Sequence, residues 1–160
     1  MNEKEAIYQL LLEQVKALIS GETDQIAIMA NVAAAIHETM QFFWTGFYRV
    51  SPLPHPANDG TDKELLLGPF QGPVACIHIG YGRGVCGTAW QQRQTIIVAD
   101  VEQFPGHIAC SSLSRSEIVV PVFDADGLIT AVLDIDSREL NTFDDTDRYW
   151  LEQICRLLNR

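Results

Sequence analysis

The stretch from residue 117 to residue 136 constrains this chain more than any other. Apolar residues fall on alternate positions in two runs, Ile118, Val120, Val122 and then Leu133, Ile135, on either side of Asp124-Ala125-Asp126-Gly127. Side chains along a strand alternate between faces, so the pattern predicts a β-hairpin over residues 117–123 and 128–136, apolar on one face and polar on the other. The polar face carries Glu117, Asp134 and Asp136 whichever turn closes the hairpin. A turn at Asp126-Gly127 sets Glu117 opposite Asp136 and Val119 opposite Asp134; a turn at Ala125-Asp126 sets Glu117 opposite Asp134. Like charges facing each other across a sheet are unfavourable. Three carboxylates on one face therefore call for a cation: Arg115, which shares their parity, a metal, or the ammonium group of a ligand. A solvated face of an edge hairpin is the plain alternative.

The remaining elements follow from spacing. Ile7, Leu10, Leu11, Val15, Leu18 and Ile19 recur at helical intervals over residues 3–19, and Gly21 is a stop signal. Thr23 or Asp24 can cap a second helix running to about Met40. The aromatic run at residues 42–50 reads as a strand, and the proline-rich residues 51–62 as a surface loop. Strands are expected at 64–70, 74–79 and 95–98, with a short helix at 85–92. Residues 100–114 are polar, broken by Pro105-Gly106, and too long for an idle connector. A last helix starts at Asp144 or Asp145, with Tyr149, Trp150, Ile154, Leu157 and Leu158 as its expected buried stripe. Helices at both ends of a hairpin-rich strand set predict an α+β fold with an antiparallel sheet. The terminal helices would cover one face, leaving a site under loops on the other. A length of 160 residues suits one domain, helices over 1–40 and the sheet core with its C-terminal helix over 42–160.

A formal net charge of -10 argues against nucleic acid and anionic membrane as partners. No run approaches the ~20 apolar residues of a membrane helix. Residues 1–5 mix charges of both signs without an apolar signal core, so a cytoplasmic location with reduced thiols is expected. The cysteines, Cys76, Cys86, Cys110 and Cys155, are then core fillers, metal ligands or redox groups. Cys86 opens a helix behind Gly82-Arg83-Gly84, where the dipole and Arg83 favour a thiolate. Cys110 lies in the long loop between His107 and Arg115, and Cys155 beside Ile154 reads as filler. Cys76, Cys86, Cys110, His78 and His107 are zinc-ligand types, but no close Cys-x-x-Cys pair exists, and no metal is expected. Inert burial of the thiols is the competing reading.

Several runs together resemble the free methionine-R-sulfoxide reductases: Leu67-Gly68-Pro69-Phe70-Gln71-Gly72 with Ala75-Cys76, then Gly82-Arg83-Gly84-Val85-Cys86-Gly87-Thr88-Ala89. Phe104-Pro105-Gly106-His107-Ile108-Ala109-Cys110, Ser114-Arg115-Ser116-Glu117-Ile118-Val119-Val120-Pro121 and Leu133-Asp134-Ile135-Asp136-Ser137 complete the set. The resemblance implies a GAF-like domain with a six-stranded antiparallel sheet, a homodimer, and reduction of the free amino acid, R at sulfur. It implies Cys110 as nucleophile, Cys86 as the resolving thiol and Cys76 as auxiliary. It assigns substrate binding to Glu117, Asp134 and Asp136, with thioredoxin as external reductant and no bound cofactor. Trp44 and Tyr48 are candidates to enclose the substrate methyl and side chain. The competing function class is a non-catalytic GAF module sensing a small ligand or redox state. Asn141-Thr142-Phe143-Asp144-Asp145 is similar to a motif of cyclic-nucleotide GAF domains, or is simply a capped helix start.

Overall fold

A computed structural model describes residues 1–107 and 111–160 of the chain. The hairpin forms from β5 (Ser116–Phe123) and β6 (Ile129–Ser137), with Glu117 opposite Asp136 and Val119 opposite Asp134. That is the register expected of an Asp126-Gly127 turn, but a longer connection closes it. The pairing slips between Val122 and Phe123, and the Asp124 carboxylate accepts from the backbone N–H of Asp126 (2.8 Å) and Leu128 (3.0 Å). The bulge absorbs the extra residues while preserving the parity of both strands.

The other strands are β1 (Trp44–Pro52), β2 (Lys63–Gln71), β3 (His78–Ile79) and β4 (Ile96–Val98). All neighbours pair antiparallel in the order β3-β2-β1-β6-β5-β4. Three helices, α1 (Glu3–Ile19), α2 (Gln25–Met40) and α4 (Asp145–Arg156), pack on one face against Phe47, Ile118, Val120, Leu133 and Ile135. Helix α3 (Gly84–Gln92) lies on the other face with Trp44, Tyr48, Val119 and Val132. This is the predicted α+β architecture, with alternation along β1, β5 and β6 dividing the apolar groups into two cores. Among the described residues, no helix is long and apolar enough to cross a membrane.

Two expectations fail for local reasons. Only His78–Ile79 of the segment at 74–79 is a strand, so Cys76 sits in irregular chain ahead of it. Its backbone is held otherwise: the Leu67 N–H donates to the Ile77 carbonyl (2.8 Å) and the Tyr48 hydroxyl to the Cys76 carbonyl (2.8 Å). In α4 the buried residues are Asp147, Leu151, Ile154 and Cys155, with Leu158 buried just beyond its end, while Tyr149 is 55% exposed. Asp147 claims the inward position at the helix start, and Tyr149 lies roughly 200° around the helix from it.

Asp147 also ties the two ends of the chain together. It is fully buried, accepts from the Tyr8 hydroxyl (2.6 Å) and the Asp144 N–H (2.9 Å), and pairs with the Lys4 ammonium. Asp147→Ala is expected to lower unfolding free energy by about 2–4 kcal/mol, because it removes the acceptor of the Asp144 N–H in the capping box and leaves a buried hydroxyl without its acceptor. Denaturant titration measures this; a loss below about 0.5 kcal/mol would reduce the cluster to incidental packing.

Candidate functional site

Alternation along β1 turns Trp44 and Tyr48 toward α3, with Gly46 between them and opposite Asp134. A Cβ at Gly46 would lie 2.4 Å from Phe70 Cβ and 2.6 Å from Trp44 Cη2. Glycine thus lets the indole lie across the strand, stacked on Phe70 (5.2 Å between centroids) and Tyr48 (6.0 Å). The Trp44 Nε1–H donates to the Pro73 carbonyl (2.9 Å), and Tyr48 holds the Cys76 carbonyl. The aromatic wall therefore fixes the irregular segment that carries Cys76.

Opposite stands the first turn of α3. Gly87 allows the 80–84 loop to close on it: a Cβ there would meet the Gly80 carbonyl at 2.5 Å. Glu117 and Asp134 form the floor, each 6% exposed, with Asp136 beside them. Cys86 is 4% exposed, and its Sγ and oxygens of Glu117 and Asp134 all lie within 4.8 Å of one another. His107, Ser111 and Ser114 of the long loop complete a pocket of about 600 Å³, its open mouth included. That size suits a small ligand. Trp44, Tyr48, Cys86, Glu117, Asp134 and Asp136 all line this pocket. Cys110 lies outside the described residues.

Burial, then the charges of Asp134 and Asp136, push the Glu117 carboxyl well above its ordinary range. Burial and Asp134 do the same to Asp136. Asp134 is also raised by burial, but hydrogen bonds from Glu117 and Cys86 and the charge of His107 oppose the shift. A carboxyl–carboxyl hydrogen bond needs a proton, so Glu117 is the acid of the cluster and Asp134 the acceptor. Oδ1 of Asp134 is buried with no hydrogen-bond partner among the described residues. A buried acceptor in that condition is costly unless a ligand supplies the donor. His107 sits with Nε2 4.0 Å from Glu117 Oε1, and burial lowers its pKa while Asp134 opposes the shift.

The expectation for Cys86 needs correcting. The start of α3 does not lower the Cys86 pKa: burial first, then the three carboxylates, push it well above the ordinary thiol range. Two free thiols are Cys86 and Cys155, whereas Cys76, which the resemblance makes auxiliary, is held in a disulfide. Arg115 is not the counter-ion of the cluster, being exposed and outside the pocket wall. Cys155 is buried among helix residues, as a filler would be.

Cys86, Glu117 and Asp134 are the one group of metal-ligand types brought together among the described residues, yet they already share hydrogen bonds with one another. The run at 141–145 is a helix start: Phe143 is buried against Phe42, and Asp144 caps α4 through Thr146 and Asp147. Arg83, His107, Ser111 and Ser114 also line the pocket without having been singled out as binding residues, and the length of the polar loop is the signal that points to the last three.

The GAF domain family matches residues 22–159. "GAF domain-containing protein A" of Dictyostelium discoideum is 56% identical over 156 residues, 98% of this chain and 92% of that protein. The free methionine-R-sulfoxide reductase of Escherichia coli (strain K12) is 41% identical over 161 residues, 100% of this chain and 90% of that one. Among solved structures, the free methionine-R-sulfoxide reductase from Neisseria meningitidis in complex with its substrate superposes with a TM-score of 0.89. It is 46% identical, and the match covers 99% of this chain and 89% of that one.

Proposed function

Because the chain belongs to the free methionine-R-sulfoxide reductases, a family built on the GAF domain, we propose that it reduces free L-methionine (R)-S-oxide to L-methionine with thiol electrons. The observation that carries the reading is the buried floor of Glu117, Asp134 and Asp136, in which one Asp134 oxygen has no hydrogen-bond partner among the described residues. A substrate ammonium supplies that donor, and the aromatic wall of Trp44 and Tyr48 covers the side chain and methyl group.

The Cys110 thiolate attacks the sulfoxide sulfur. Glu117 gives its proton to the sulfinyl oxygen, which makes the oxygen a better leaving group. The S–O bond breaks and the hydroxyl passes to the Cys110 sulfur as its bond to the substrate sulfur is released, so methionine departs and Cys110 is left as a sulfenic acid. A second thiol condenses with it, releasing water and forming an intramolecular disulfide. Cys76 suits this role, since it is the described cysteine found in a disulfide, on chain pinned by Tyr48. A dithiol protein such as thioredoxin returns the enzyme to the reduced form; a homodimer working in the cytoplasm is the setting that the family resemblance implies.

The test is scope. Free methionine sulfoxide should turn over, while its N-acetyl form should react roughly 10- to 150-fold more slowly, the worth of ~1.5–3 kcal/mol for a charge-assisted bond. Equal rates would remove the ammonium from the recognition scheme. Tight binding of the free amino acid without methionine release, given thioredoxin and its recycling system, would make the chain a sensor instead.

A further inference from the structure

His107 is a titratable group on the pocket wall to which the reaction above gives no task. Its backbone N–H donates to the Phe104 carbonyl (3.1 Å), and its ring stands beside the carboxylate floor with Nε2 4.0 Å from Glu117 Oε1. One bridging water or a small rotation of the ring closes such a gap. The imidazole side chain is 17% exposed where that of Glu117 is 8%, so the ring touches solvent while the carboxyl hardly does. We propose that His107 is the proton relay of the site, returning a proton from solvent to Glu117 in every cycle. The inference rests on the reductase reading, in which Glu117 is the acid.

Proton balance requires such a path. The sulfoxide oxygen leaves as water with two protons, one from Glu117 and one from the resolving thiol. Reduction of the disulfide restores both thiols with protons from the reducing dithiol, and Cys110 then releases one as it ionises. Glu117 is left a carboxylate and must regain that one proton before the next substrate is reduced. The other titratable or charged groups lining the pocket, among the described residues, are Asp134, Asp136, Cys86, Tyr48 and Arg83. The two aspartates compete for the proton that Glu117 holds, and the Cys86 thiol is buried against them. The Tyr48 hydroxyl donates to the Cys76 carbonyl, and burial pushes it above the ordinary phenol range. Arginine does not release its proton. An imidazole titrates near neutral pH and takes up a proton at one nitrogen as it gives one up at the other. Burial lowers the His107 pKa against the opposing charge of Asp134, which leaves the ring neutral and able to accept.

The experiment compares His107→Gln and His107→Ala with the parent at about pH 8, where hydronium is scarce, under saturating thioredoxin and its recycling system. The first methionine from reduced enzyme should appear within about threefold of the parent rate, because Glu117 enters that turnover already protonated. The steady-state kcat should fall roughly tenfold, with KM for methionine sulfoxide changed less than threefold. Assay at about pH 6 should recover most of the loss, since hydronium then protonates the carboxyl directly. Added imidazole should raise kcat of His107→Ala at least about threefold and should leave Glu117→Gln unchanged, a readout that a merely structural histidine would not move. An unchanged kcat in both variants would overturn the relay. So would a first turnover lost together with the steady state, or a raised KM alone, which would make His107 a structural or substrate-binding residue. A fall in kcat that neither acid nor imidazole repairs would overturn it as well. Failure of the parent protein to release methionine would instead bring down the reductase reading itself.

Discussion

Cys110→Ser will release no methionine, not even one equivalent per site, whereas Cys76→Ser will release about one and stop. The two outcomes separate the steps of the cycle. Attack on the sulfoxide sulfur needs a thiolate, and a serine hydroxyl is far too weakly acidic to replace it, so the single-turnover rate should fall by at least about 1,000-fold, or ~4 kcal/mol in barrier. Resolution comes afterwards. Removing its thiol leaves the first product free to depart and strands the sulfenic acid. In this scheme the stranded acid is trapped by dimedone in Cys76→Ser and not in the parent under turnover. Cys76 is the cysteine the structure holds in a disulfide, and Cys86 is buried against carboxylates that resist its ionisation. A full burst from Cys110→Ser would remove the nucleophile from this scheme. Stalling of Cys86→Ser in place of Cys76→Ser would restore the division of labour that family resemblance alone implies.

How much of this was legible in the residues depends on how local each feature is. Parity along a strand is local, so the gathering of Glu117, Asp134 and Asp136 on one face follows from alternation in either register, and the structure adopts one of the two. The bulge after Val122 was not legible, because it depends on which N–H groups Asp124 captures. The phase of α4 was misread for a similar reason. A buried aspartate is rare enough that apolar spacing passes over it, yet Asp147 has Tyr8 and Lys4 waiting from the other end of the chain. The ionisation of Cys86 shows the limit most clearly. Its position at a helix start is a one-dimensional fact that favours the thiolate. Its burial beside Asp134 and Glu117 comes from strands β5 and β6, thirty or more residues further along the chain, and that contribution dominates.

The same crowding makes the carboxylate floor a place where stability and function oppose each other. Glu117 in the folded protein holds its proton to a pH well above the ordinary carboxylate range, while in the unfolded chain it ionises near ~4.3. A group whose folded pKa is raised contributes fully below the unfolded value and loses that contribution as pH rises toward the folded one. The parent protein should therefore lose stability as pH rises from about 4 through neutrality, and Glu117→Gln, which cannot ionise, should lose less. The variant and the parent should unfold alike near pH 4, and the variant should be the more stable by about 0.5–2 kcal/mol near neutral pH. Activity should move the other way. Glutamine keeps the hydrogen bond to Asp134 but has no proton to transfer, and Asp134→Asn puts an amide where the ammonium needs an anion. Each should cut turnover at least tenfold, ~1.4 kcal/mol, with Asp134→Asn acting mainly on KM and Glu117→Gln mainly on kcat. Unchanged turnover in both variants would remove these carboxylates from the reaction, and a loss of stability in both would make them a structural cluster. Melting curves at two pH values with one rate assay per variant distinguish the three, and a stability difference that shrinks as pH rises would refute the shared-proton floor.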